Sequence, residues 1–218
     1  MSKTTDTVKI SNESSHAKVK LFNPYDKSAS TESITLTDFV EDWVCELVEP
    51  KHPALTTPAT VDPFSGGVSD WEVKEKQMLD LMHNNLGIGL ASPQIGSSYN
   101  MFVMNHSVLG DIGVFKPEIL EYSEETVVIE EGCLTFPLLY LHITRPEKVK
   151  VKYLKSDGDT QVETWMDGID ARCFQHEFEH LQGELFLDRV SDLKLQRAFK
   201  KREKLFKKLE KKVKNSNA

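Results

Sequence analysis

The spacing of apolar residues divides the chain into strand-like and helix-like stretches. Tyr99–Asn105, Gly113–Leu120 and Thr126–Ile129 are short and rich in β-branched or aromatic residues, and they predict strands, the second interrupted by Pro117. Lys148–Leu154 alternates Lys with Val and Tyr, the period-two signature of a half-buried strand. Asp157-Gly158 then predicts a hairpin turn to a partner at Gln161–Trp165. Other stretches repeat at three and four. Trp71, Val73, Met78, Leu81 and Met82 predict a buried helix face ending near Asn84, opened by Ser69-Asp70-Trp71-Glu72 in capping-box form. Leu195, Ala198, Phe199, Leu205, Phe206, Leu209 and Val213 predict an amphipathic helix at the C-terminus. A further helix should start between Asp167 and Asp170 and stop at Gly183. The fold class expected is α+β: antiparallel-leaning sheets packed around the helix ending at Gly183, plus the C-terminal helix.

The remaining segments are polar or broken. Residues 1–45 are rich in Ser, Thr, Asn and Lys and read as a partly disordered extension, with one strand-like piece at Val19–Phe22. Phe39, Val40, Trp43, Val44 and Leu47 predict a short helix before Pro50, with Cys45 inside it. Pro50–Gly67 carries four prolines and predicts loop. The domain plan is therefore an extension over 1–45, a catalytic domain over 46–190 and a basic helix over 191–218.

Charge sharpens that plan. From 193 to 218 eleven Lys/Arg face two Glu, a segment of +9 in a chain of net −7, so the rest carries −16. The tail helix is then a packed helix with a solvated Lys face, a docking helix for RNA, or a contact for an anionic membrane surface. No apolar run approaches the ~20 residues of a membrane span. Three widely spaced cysteines suggest no disulfide framework, and a reducing cytoplasm is the expected location.

Chemistry concentrates in Gln175–Gly183, where His176, Glu177 and His180 form H-E-x-x-H. Residues four apart share a helix face, so both imidazoles can grip one metal ion while Glu177 reaches a water beside it. A third ligand is needed. Phe186 stands where one protease class has a third His, which excludes that class. Glu203 is one candidate, and Cys133 is the better one, since a thiolate binds Zn²⁺ or Fe²⁺ strongly. Gly87-Ile88-Gly89 is either a plain turn or a place where backbone approaches closely.

Three segments together resemble the motifs of the peptide deformylases. Gly87–Gln94 is similar to that family's glycine-hydrophobe-glycine-Leu-Ala-Ala-Pro-Gln. Glu131–Thr135 is similar to its Glu-Gly-Cys-Leu-Ser, and Gln175–Gly183 to its Gln-His-Glu-x-Asp-His-Leu-x-Gly. The likeness runs from about Glu49 to Arg189, with Ser92, Lys116, Thr135 and Glu179 as departures. The resemblance implies removal of formate from N-formyl-methionine on nascent chains. It implies Cys133, His176 and His180 as metal ligands, with Fe²⁺ as the cellular ion and Zn²⁺, Ni²⁺ or Co²⁺ as substitutes. Glu177 would be the base, while the Gln94 amide and the Leu134 N–H would meet the oxyanion. Gly89 would bond the substrate backbone. Ile88, Phe136, Tyr140, Cys173 and Leu138 are candidates for the methionine pocket. Arg145 is expected to pair with Glu131 or Glu179. The partners implied are the formylated nascent peptide and, through the tail helix, the ribosome; no DNA partner is expected.

Overall fold

A computed structural model of the chain describes residues 45–65 and 70–216. Among these residues seven strands form two antiparallel sheets. Strands β1 (Gly89–Ala91), β2 (Met101–His106), β3 (Gly110–Tyr122), β6 (Lys148–Leu154) and β7 (Gln161–Asp167) make one sheet in that order. Strands β4 (Thr126–Gly132) and β5 (Tyr140–Pro146) make the other. The α-helices among the described residues are α1 (Trp71–Asn84), α2 (Gly168–Leu181) and α3 (Asp192–Ser216). The α+β expectation with antiparallel sheets is therefore met.

β2 shows why the layers stack as they do. Its residues Met101–Met104 are all buried, and successive side chains of a strand point to opposite faces. Phe102 and Met104 enter a core with Phe174 and Cys173 of α2. Met101 and Val103 enter a second core with Trp71, Met78 and Met82 of α1. The sheet is thus covered on both faces. A third cluster joins Phe136, Leu139, Leu141 and Ile143 to Phe186, Leu187 and Leu195. α2 touches both sheets: it packs on β1, β2, β6 and β7. Its Arg172 and Gln175 side chains donate to the Val127, Ile143 and Pro146 carbonyls around β4 and β5.

Several elements differ from the sequence expectation. β1 and β5 are strands that periodicity did not predict, and Gly87–Gln94 is therefore more than a turn. Pro117 does not interrupt β3; a register shift between Phe115 and Glu118 absorbs it, with Lys116 at φ 50. A bulge is where a strand tolerates a residue without an N–H. Val73 is exposed rather than buried. Residues 45–49 are not helical, while the rest of that predicted helix and Ser69 lie outside the described residues. No helix among the described residues is long and apolar enough to cross a membrane.

Phe174 is fully buried and meets the Phe102 ring edge-on at 5.0 Å. Phe174→Ala should lower unfolding free energy by about 3–5 kcal/mol, read from the shift of a urea denaturation midpoint.

Candidate metal centre and active site

The local sequence explains how α2 is aimed. The chain arrives extended at Asp167, and the helix stops before Gly183, whose φ of +73 suits glycine alone. A Cβ there would also sit 2.9 Å from the Thr56 carbonyl carbon. Between these ends His176 and His180 lie one turn apart, their rings edge-to-face with centroids 5.1 Å apart. Cys133 comes from the loop after β4. The ligating atoms of Cys133, His176 and His180 all lie within 4.8 Å of one another, and Cys133 Sγ is 3.3 Å from His180 Nε2. Glu203, the alternative ligand, is instead exposed on α3 and pairs with Lys207 at 2.6 Å.

A buried ionic network supports this cluster. Glu131 accepts from Arg145 Nε at 2.7 Å, Arg172 Nη1 at 2.8 Å and His176 Nδ1 at 3.0 Å. Arg145 also donates to Glu179, at 2.9 Å through Nη2, and Arg189 donates to Glu179 as well. So Arg145 takes both of its expected partners. Burial alone would raise the Glu131 carboxyl, but His176 and Arg145 outweigh it and hold it far below the usual carboxylate range. With Nδ1 engaged by Glu131, the other His176 nitrogen is the one left to face the cluster, where a cation would displace its proton.

The donors fit a cation. Burial opposes charge on His176, yet Cys133 and Glu131 outweigh it and hold its pKa well above the ordinary value. Burial, then the neighbouring His176 charge, pushes His180 the other way, leaving a neutral donor. One sulfur and two imidazole nitrogens are a donor set that Zn²⁺ and Fe²⁺ accept. Two buried atoms beside it, Glu177 Oε2 and His180 Nδ1, have no hydrogen-bond partner among the described residues. Burial pushes the Glu177 carboxyl up to about 7.

The other candidates surround the same cleft, about 450 Å³ in volume. Gln94 is held by its own backbone: Ala91 N–H donates to Oε1 at 2.8 Å, which turns Nε2 toward Cys133 Sγ at 3.4 Å and Thr135 Oγ1 at 3.2 Å. Leu134 lies inside a turn closed by Phe136 N–H to the Cys133 carbonyl at 3.0 Å, a bond that does not draw on the Leu134 N–H. Gly89 has no room for a side chain, since a Cβ would fall 2.7 Å from Cys173 Sγ and closer still to Glu177. Phe136 and Cys173 are buried in the cleft wall, whereas Ile88 and Tyr140 are about half exposed. Sequence reading missed Arg172, whose only signal was its position one helical turn before His176.

Residues 44–196 match the family model described as polypeptide deformylase. The chain belongs to the peptide deformylase family. It is 46% identical over 119 residues to the peptide deformylase of Thermotoga maritima, covering 55% of this chain and 71% of that one. To that of Phenylobacterium zucineum it is 38% identical over 160 residues, covering 72% and 93%. A solved peptide deformylase from Legionella pneumophila superposes with a TM-score of 0.66 at 34% identity, covering 76% of this chain and 96% of that one. The deformylase hydrolyses the N-formyl group of N-formyl-methionine on nascent polypeptides, releasing formate.

The network makes this deformylase sensitive to acid. Glu131 has a folded pKa far below its unfolded value of about 4.5, so its stabilisation is present above that pH and lost as pH falls below it. Urea midpoints should fall steeply below pH 4.5, and Glu131→Gln should be less stable at pH 7 with a flatter dependence. Arg145→Met takes the shared cation from two buried carboxylates and should cost about 3–5 kcal/mol by the same measurement.

Proposed function

We propose that Cys133, His176 and His180 hold one divalent metal ion in the deformylase and that Glu177 moves the proton during formate release. The observation that carries this is the meeting of three ligating atoms within 4.8 Å, beside a buried carboxylate oxygen with no protein partner. A thiolate with two imidazoles suits Fe²⁺ or Zn²⁺. We assign Fe²⁺ in the cell, with Zn²⁺, Ni²⁺ or Co²⁺ able to substitute. When bound, the ion supplies a Lewis acid toward water and the formyl oxygen. On this reading α2 is a metal-binding helix at the centre of a catalytic unit over 46–190, working in the cytoplasm.

Glu177 takes a proton from the attacking water and returns it to the departing amine. A carboxyl pushed up to about 7 can do both near neutral pH. The negative charge that develops on the formyl oxygen is met by the Gln94 amide and the Leu134 N–H. Loss of one such donor typically costs about 3 kcal/mol of barrier. Gly89 lets the substrate backbone lie along β1. The methionine side chain passes between Ile88 and Tyr140 toward Phe136 and Cys173.

Formate release from formyl-Met-Ala-Ser should stop on chelation and return on adding Fe²⁺ or Ni²⁺. Glu177→Gln should retain the metal while kcat falls by at least a hundredfold. Because burial raises the folded Glu177 pKa, the ionised group contributes less stability as pH rises through about 7. The metal-free Glu177→Gln protein should therefore be more stable than its parent at pH 8. A Cys133→Ser variant with normal metal content would refute the ligand assignment.

A second reading concerns α3, assigned here as the contact to ribosomal RNA. Lys200, Lys204, Lys208 and Lys211 are all exposed on it. Reversing these four to Glu should abolish ribosome co-sedimentation at low salt, and the parent's binding should weaken steeply with added salt. Undiminished co-sedimentation would count against this role.

A further inference from the structure

Helix α3 reaches the cleft wall through a hydrogen bond to one of its carbonyls. Residues Phe136–Leu139 form a turn closed by Leu139 N–H to the Phe136 carbonyl at 3.1 Å. Pro137 fills its second position, and Leu138, at the third, has φ +63. Proline cannot take a positive φ, so this combination is a type II turn, whose third position usually holds Gly or Asn. What separates type II from type I is the flip of the central peptide, and the carbonyl of that peptide belongs to Pro137. Arg202 of α3 donates to it through Nε at 2.8 Å. Arg202 is 2% exposed, and its guanidinium lies over the Phe206 and Phe199 rings at 5.6 and 5.9 Å. Phe199 packs in the same cluster as Phe136 and Leu139. The turn itself, Leu138 included, lines the cleft.

We propose that Arg202 is a positioning residue for substrate recognition: from the tail helix it holds the Pro137 peptide flipped and so keeps Leu138 in the cleft wall. This rests on the reading of the cleft as the methionine pocket. A leucine in left-handed backbone is disfavoured, so the turn relaxes once the donor is withdrawn. Binding of the methionine side chain then suffers while the metal ligands and Glu177 stay where they are. The basic tail becomes a part of substrate selection as well as a charged surface.

The test is steady-state kinetics of the full chain on formyl-Met-Ala-Ser, with metal content measured in parallel. Arg202→Ala should raise KM roughly five- to tenfold, the scale of one lost intramolecular hydrogen bond, with kcat and metal content unchanged. Arg202→Lys, which keeps a donor, should fall between the two. In a Leu138→Gly background the turn takes its positive φ unaided, so adding Arg202→Ala should change KM no further. Additive effects in that cycle, or a loss confined to kcat, would overturn the proposal. If Arg202→Ala does not accumulate as folded protein, Phe206→Leu takes its place, loosening the guanidinium without touching the turn. Ile88→Ala reports on the pocket itself. A KM moved by Ile88→Ala but by neither α3 variant sinks the role of Arg202 alone, whereas a KM unmoved by all three removes the pocket reading as well.

Discussion

One carboxylate ties the site to the fold. Glu131 belongs to β4, yet it is bonded at once to Arg145 of β5, to Arg172 of α2 and to His176 of the Cys133–His176–His180 cluster. Isolated in an apolar interior such a charge would cost several kcal/mol, and each partner is tolerated there only because the others are present. Arg145 extends the same logic to Glu179, and Arg189 carries it to the protein surface. The orientation of His176 is therefore set by the same contacts that dock the small sheet on α2. Catalytic geometry and tertiary structure share their supports.

The network also explains which parts of the fold were legible in the sequence. H-E-x-x-H on a helix can be read from spacing alone, whereas ligand chemistry left Cys133 beside Glu203 as candidates, and only the resemblance of three motifs to the deformylases singled Cys133 out. β5 could not be read in that way. Its inward positions are Leu141, Ile143 and Arg145, so a charged residue occupies a core position and breaks the apolar alternation. Glu131 does the same to the end of β4. β1 is three residues long, too short to display a period, and it forms only because β2 lies beside it. Pro117 looked like a breaker because a bulge leaves no mark in the apolar pattern. Arg172 carried nothing beyond its place one turn before His176, since an arginine on a helix is ordinary until its partners converge from other strands.

The buried groups without protein partners follow a complementary logic. Glu177 and His180 lie in the interior, each with a polar atom that finds no neighbour among the described residues, an arrangement a purely structural core avoids. Gly89 keeps the Glu177 carboxylate clear on its other side, because any side chain there would collide with it. The site is thus locally less stable than an apolar filling would be, and the aromatic contacts of Phe174, Phe102 and Phe186 around it offset that cost.

β2 limits how this chain can vary in length. Its alternate residues serve two separate cores, one under each helix, within four consecutive positions. A one-residue insertion between Met101 and Met104 would exchange the two sets, handing the α1 core the side chains fitted to α2. Neither helix could compensate by shifting, since each is held by its own far contacts. Beside β2 a change of length fits instead at the hairpin tip, 108–110, where Gly110 has open space around it and Val108 and Leu109 stand in solvent. The tip can lengthen while the strand beside it cannot gain a single residue.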